Sequence, residues 1–196
     1  MMSAIKSARG RPRREITRTQ IADAGIAMGL PKISIVGVAA ALSLSHMTLY
    51  TYVSSLDELK QLVASEIFLR WQLPAPHDEP LEEYMETFGA SMWHFVEKHP
   101  GIAPYLLRED LITPDMITKI HNHQKLLVQS YNLTNEQAHW LFQTVAHVCV
   151  AVADTLIPKE ETSQNSGHRG NCEIKNKYML GVKALIIGSL SMISEN

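Results

Sequence analysis

The run His46-Met47-Thr48-Leu49-Tyr50-Thr51-Tyr52-Val53 gathers an imidazole, two threonine hydroxyls and two phenols into eight residues. These groups give and take hydrogen bonds. Their order is too polar and too mixed for one buried face, whereas Leu44, Leu49 and Val53 suit a core. The chemistry they fit is contact with base edges and phosphates along a groove. A second group lies upstream, where Arg9, Arg11, Arg13 and Arg14 flank Gly10 and Pro12. Glycine and proline favour an extended chain, and guanidinium groups suit a narrow, electronegative minor groove. The core Gly10-Arg11-Pro12, flanked by arginines, also resembles an AT-hook.

Other chemistries find less support. Outside the run just described, histidines stand at 77, 94, 99, 121, 123, 139, 147 and 168. A metal needs several ligands converging on one point. His121 and His123 are two apart, so a helix points them to different faces, and His139 and His147 are two turns apart. No HxxxH or HExxH spacing occurs, and no GxSxG or glycine-rich phosphate loop occurs. We therefore expect no metal, no cofactor and no catalytic residue. The acidic run Glu79, Glu82, Glu83 and Glu86 is explained by solvent exposure and a helix dipole.

These groups must be held by helices. Few stretches alternate with period two, and most apolar residues recur at three and four. Thr17 to Gln20, Ser55 to Glu58 and Thr134 to Gln137 each read as a capping box, and Thr113-Pro114 as a cap followed by proline at the first helical position. The spacing predicts helices over 17–28, 35–42, 46–52, 56–72, 80–98, 102–110, 114–130, 134–157 and 174–194, with a polar surface loop over 158–172. Residues 35–42, the turn Ser43-Leu44-Ser45 and residues 46–52 make a helix-turn-helix, whose second helix enters a major groove.

Composition agrees. The 196 residues are 45% hydrophobic, with formal net charge −2. The charge is unevenly spread: residues 1–32 hold seven basic and two acidic groups, the remainder 11 and 18. A basic head on an acidic body implies an anionic partner for the head alone. Two cysteines, Cys149 and Cys172, lie far apart, so a disulfide scaffold is excluded and a reducing cytoplasm is expected. No signal peptide is read, and the apolar runs read as too short to span a bilayer, so no membrane is expected.

At this point the sequence resembles the tetracycline-repressor (TetR/AcrR) family of transcription regulators. The resemblance is carried by Ile21, Ala24 and Met28-Gly29, by Val38-Ala39 and Leu42-Ser43-Leu44-Ser45, by Thr48-Leu49-Tyr50-Thr51-Tyr52-Val53, and by Asp57-Glu58-Leu59. It covers roughly residues 15–63. Ser43 stands where the family often has glycine, Tyr52 and Val53 where it often has histidine and phenylalanine, and Leu56 where it usually has a phosphate-binding lysine.

The resemblance implies an all-α fold: a three-helix helix-turn-helix DNA-binding domain followed by a C-terminal helical ligand-binding and dimerisation domain. We expect a basic arm over 1–14, the DNA-binding domain over 15–60 and the effector-binding and dimerisation domain over 61–196. The expected partners are double-stranded DNA bearing a pseudo-palindromic operator, a small-molecule effector and a second copy of the chain. The DNA-contacting residues would be Arg9, Arg11, Arg13, Arg14, Ser45, His46, Met47, Thr48, Tyr50, Thr51 and Tyr52. An effector pocket would be lined by Trp93, His94, Tyr105, Met116, His121, Trp140 and His147. The family's four-helix dimer contact would fall on Ala138, Phe142, Val145 and Cys149 of one helix and on the small-residue stripe Gly181, Ala184, Gly188 and Ser191 of the last. A repressor released by its effector is the reading reached from sequence. An activator or global DNA binder of the same type remains open, as does a helical ligand-dependent enzyme or metal-binding protein.

Overall fold

The computed structural model describes residues 16–158 and 168–194, the side chains of 168–171 excepted. Nine α-helices and no strand occur among the described residues. They are α1 (Arg18–Met28), α2 (Ile35–Ala41), α3 (His46–Leu49), α4 (Leu56–Arg70), α5 (Leu81–Lys98), α6 (Ala103–Leu107), α7 (Pro114–Tyr131), α8 (Asn135–Leu156) and α9 (His168–Ser194). Short 3-10 turns follow α1 and α6, at Leu30–Lys32 and Glu109–Leu111.

Local capping sets the starts. Thr17 and Thr134 form full capping boxes with Gln20 and Gln137. Ser34, Ser45, Ser55 and Thr113 each accept a backbone N–H three residues on. Such caps each contribute about 1 kcal/mol. The expected box at Ser55 is shifted by one residue. The Glu58 carboxylate accepts from the amide and hydroxyl of Ser54, both at 2.6 Å, and these bonds hold it below the usual carboxylate range. Asn132 closes α7 in the left-handed conformation, at φ 51°.

Three boundaries differ from the sequence reading. Regular α geometry ends at Leu49, although N–H bonds from Tyr50, Thr51, Tyr52 and Val53 carry the winding on to Val53. The helix expected over 102–110 breaks at Arg108, whose backbone is extended while its guanidinium pairs with Asp110. The last helix begins at His168, so 168–172 is helix rather than loop. From Cys172 to Lys177 the helix is mostly exposed, and there Lys177 pairs with Glu173 at 2.9 Å.

One continuous apolar core runs from Ile16 to Ile186. In the N-terminal part Ile21, Val38, Leu49, Leu59 and Val63 are fully enclosed. Gly25 lets α1 meet α4, because a Cβ there would lie 2.3 Å from a Val63 methyl. Gly89 does the same for α5 and α9: a Cβ would lie 2.6 Å from Val182, and the Gly89 carbonyl accepts the Tyr178 hydroxyl at 2.8 Å. Helices α5, α8 and α9 pack mutually. By length and composition, Cys172–Ser194 of α9 is long and apolar enough to cross a membrane, which corrects the expectation that no run is. Here it packs Tyr178, Val182 and Ile186 into the core and pairs Lys183 with Glu86 at 2.7 Å.

Helix α4 joins the two ends of the molecule. One face packs on α1, with Val63 against Gly25 and Arg70 bridging to Asp23 at 2.7 Å. Its other face is bonded to the body: Gln61 Nε2 donates to the Leu111 carbonyl at 3.1 Å, and Ser65 and Thr113 share a hydroxyl bond at 2.8 Å. At its end the Lys119 ammonium, on α7, donates to the carbonyls of Phe68 and Leu69 at 2.9 Å and to that of Trp71.

Candidate nucleic-acid interface and ligand cavity

The turn before α3 is Ser43-Leu44-Ser45. Ser43 adopts φ 56°, the left-handed region that a glycine takes without strain. The amides of Ser43 and Leu44 return to the carbonyls of Ala40 and Ala39, closing α2 tightly enough for α3 to cross it. Leu49 and Val53 then anchor α3 in the core.

The opposite side of α3 is open. Met47 is 66% exposed and Tyr50 46%, and His46 and Thr51 are exposed beside them in sequence. Ser45 Oγ accepts the Thr48 amide at 3.1 Å and meets the Thr48 hydroxyl at 2.8 Å. Thr51 donates to the Thr48 carbonyl at 2.7 Å. Ser45 and Thr51 thus hold the turn in shape, while the side chains of His46, Met47 and Tyr50 are exposed. Tyr52 is half-buried and packs on the core. Val36 on α2, 69% exposed, is a further apolar group that the sequence reading did not select. Arg9, Arg11, Arg13 and Arg14 lie outside the described residues.

A second feature lies in the body. A cavity of about 180 Å³ opens between the end of α4, α5, α7 and α8. Phe68, Trp71, Leu73 and Met92 form one side. Met116, Ile117, Ile120, His121 and Gln124 come from α7, and His139, Phe142, Gln143, Ala146, His147 and Val150 from α8. Trp71 is fixed by stacking on Phe95, with centroids 4.3 Å apart and planes 19° apart. Gln124, almost fully buried, reaches across to His139 Nδ1 at 3.2 Å.

Of the residues expected at an effector pocket, Met116, His121 and His147 line this cavity. The other four do not, and each has a physical reason. Trp93 is enclosed against Tyr178, centroids 4.8 Å apart. His94 is on the surface, where its Nε2 meets Lys175 Nζ at 2.9 Å. Tyr105 is half-buried elsewhere, and Trp140 faces outward on α8. What the sequence reading missed is the contribution of Phe68, Trp71 and Leu73. Trp71 stands just past the end of α4 with an extended backbone (ψ 127°), so its indole turns into the body instead of continuing the helix face. The signal available was the apolar pair Trp71 and Leu73 running into Pro74 and Pro76.

On the other side of the α4 terminus, His123 is buried and its Nε2 lies 2.5 Å from the Tyr84 hydroxyl, which donates to the Pro74 carbonyl at 3.1 Å. Burial, with Lys119 nearby, pulls the His123 imidazole down to about 4, so it is neutral at physiological pH. With Tyr84 donating to Pro74, the neutral ring supplies its Nε2–H to Tyr84. This chain of bonds fixes the proline-rich segment between α4 and α5. Burial also lowers the Lys119 amine, while the three carbonyls favour its protonated form. Among the described residues no group of three His, Cys, Asp or Glu side chains is placed to hold a metal ion.

The residues expected at a dimer contact divide. Ala138, Phe142, Val145 and Cys149 point into the chain's own core, which corrects their assignment: α8 is apolar nearly all round because α5 and α9 cover it within one chain. Gly181, Ala184, Gly188 and Ser191 are exposed, and a Cβ at either glycine would meet nothing within 4 Å. Leu180, Ile187 and Met192 are exposed on the same helix, and Val148 and Leu156 on α8.

No protein-family model matches the chain, and no curated protein matches its sequence. Solved structures do match. The ActR protein of Streptomyces coelicolor, described as a TetR family protein in complex with actinorhodin, superposes with a TM-score of 0.71 at 20% identity, covering 93% of this chain and 99% of that one. A TetR variant from Acinetobacter baumannii in complex with minocycline gives 0.70 at 12% identity, covering 91% and 98%. A TetR-family transcriptional regulator from Streptomyces coelicolor gives 0.58 at 15% identity, covering 91% and 86%. The chain has the fold of the TetR-family regulators, with the helix-turn-helix at its N-terminal end and a helical C-terminal part.

Proposed function

We propose that this chain is a transcription regulator of the tetracycline-repressor type, a cytoplasmic homodimer that represses from a pseudo-palindromic operator and leaves it when a small molecule binds. The observation that carries the reading is a single helix serving two sites. α4 packs along one face on α1 of the base-reading unit, and near its end it supplies Phe68 to a cavity that could take a small molecule. An effector that binds two settings of α4 unequally would shift the population of DNA-competent heads.

In this reading residues 15–60 are the DNA-binding unit, 61–196 the effector and dimer unit, and 1–14 a basic arm, with the boundary falling inside α4. His46, Met47, Thr48, Tyr50 and Thr51 contact bases and phosphates; Ser45 and Tyr52 act mainly by holding α3. The dimer forms on the open face of α9, around Gly181, Ala184, Gly188 and Ser191, together with the exposed apolar groups of α8. A two-fold pair of heads then meets two-fold DNA.

Selection of bound DNA from a random pool tests this. The expected result is a palindromic consensus with half-sites about one helical turn apart. Tyr50→Ala should lower affinity on every sequence and flatten the salt dependence by about one counterion per lost phosphate contact. A pool that returns no consensus, or unchanged binding by Tyr50→Ala and His46→Ala together, refutes the assignment. Recovery of many weak, unrelated sites would instead identify a global DNA binder.

A further inference from the structure

We infer that the cavity takes an uncharged, planar aromatic of one or two rings with a hydroxyl or carbonyl along one edge, an inference that rests on reading this cavity as the effector site. Size sets the first limit. A protein cavity of roughly 150 Å³ lined by apolar side chains accepts benzene, and this one has about 180 Å³. One ring with substituents, or two fused rings, fills it.

Shape and surface set the second. Phe68, Trp71 and Phe142 are aromatic, and Met92 and Met116 bring polarizable sulfur, which makes favourable contacts at ring edges. Trp71 cannot swing freely, because it is stacked on Phe95 and Phe88. A ligand with a flat face therefore meets a wall that is already in place, which lowers the ordering cost of binding.

Polarity sets the third. His121 and Gln124 lie three apart on α7, and His139, Gln143 and His147 lie at four-residue steps on α8, so each set forms a row on one helix face. His121, His139 and Gln143 are exposed and lie at the mouth, His147 is half-buried, and Gln124 is buried behind them, bonded to His139. Imidazoles and amides both donate and accept, and they suit a phenol or a ring carbonyl.

Charge sets the last. Among the described residues no Lys, Arg, Asp or Glu lines the cavity. The nearby cation, Lys119, is directed to the backbone carbonyls of Phe68, Leu69 and Trp71. A carboxylate or ammonium would lose its hydration without a fixed counter-charge.

Titration calorimetry on the full chain tests the class with four probes: 2-naphthol, naphthalene, 2-naphthoate and 1-hydroxyanthraquinone. 2-Naphthol should bind about ten-fold or more tighter than naphthalene, the worth of one or two hydrogen bonds, and about ten-fold or more tighter than 2-naphthoate, for its unpaired charge, and than the quinone, for its size. His139→Leu and Gln143→Leu change exposed positions at the mouth, the first also removing the partner of Gln124, so circular dichroism checks that the fold is kept. Together they should cut the preference for 2-naphthol over naphthalene several-fold and leave naphthalene binding in place. Ala146→Phe, which grows into the cavity, should abolish both. Naphthoate or the three-ring quinone binding as tightly as 2-naphthol overturns the inference, as does binding indifferent to Ala146→Phe. The same probes are added to the complex with selected DNA. DNA binding without any probe binding refutes the ligand class alone; 2-naphthol binding that leaves the DNA bound refutes the regulatory reading alone.

Discussion

Replacing Lys119 with methionine keeps a long apolar stem against Phe68, over whose ring the ammonium sits 5.3 Å from the centroid, and removes only the charge and its three donors. In the native chain those donors reach the carbonyls of Phe68, Leu69 and Trp71 at the end of the helix, where acceptors run short of intrahelical donors, the Phe68 carbonyl also taking the Trp71 amide at 3.2 Å. A hydrogen bond to a charged group contributes about 1.5–3 kcal/mol when buried. Lys119 is half-buried beside Gln72 and Asn122, so water replaces part of the loss. A net cost of about 2–3 kcal/mol follows for the set rather than for each bond. For a chain of this size each kcal/mol moves the melting temperature by about 2–4 °C, so a fall of about 4–12 °C is expected. Urea and thermal unfolding by circular dichroism, at one fixed protein concentration, measure it. Lys125→Met, on the exposed face of the same helix, serves as the control and should stay within about 0.5 kcal/mol of wild type. If Lys119→Met is equally silent, the ammonium is not holding the end of α4, and the coupling of cavity to head through that junction loses its anchor.

Three further outcomes are expected. His123 has its folded value lowered to about 4, so its contribution is complete above its ordinary value of 6.5 and is lost as pH falls toward 4; between pH 7.5 and 5 this amounts to about 2 kcal/mol, and His123→Gln should flatten that part of the stability profile while an unchanged slope would refute the assignment. Ser43→Gly relieves a left-handed serine at φ 56° and should raise stability by about 0.5–1 kcal/mol, seen as a higher urea midpoint; a fall would mean that the Ser43 side chain, not the backbone alone, supports the turn. A Cβ at Gly188 would meet no described atom within 4 Å, so Gly188→Leu should leave the helix content intact and shift the proposed dimer toward monomer in light scattering, whereas a mutant dimer of undiminished affinity would move the interface elsewhere.

The sequence carried the local features well. Capping boxes at Thr17 and Thr134 were legible because both partners lie within one turn, and the helix-turn-helix because its turn, spacing and core leucines are contiguous. His121 and His123 were expected on different faces, and they are: one lines the cavity, the other bonds Tyr84. What could not be read was direction in space. Trp93 and Trp140 are as large and apolar as Trp71, yet one fills the core, one faces outward and only Trp71 reaches the cavity. Phe142 and Cys149 looked like an intermolecular stripe because periodicity reports that a face is covered without saying by what. Lys119 gave no signal at all, since its acceptors lie about 50 positions earlier.

The three tryptophans occupy three separate environments: Trp71 on the cavity wall, Trp93 sealed beside Tyr178, and Trp140 exposed on α8. The molecule therefore carries its own optical probes. A variant retaining only Trp71 should change emission when a ring enters the cavity, and one retaining only Trp140 should shift to the blue when a second chain covers α8. Emission from Trp93 alone should stay constant through both events and change only on unfolding. Occupancy, assembly and folding thus become separable signals in one cuvette, with no label attached.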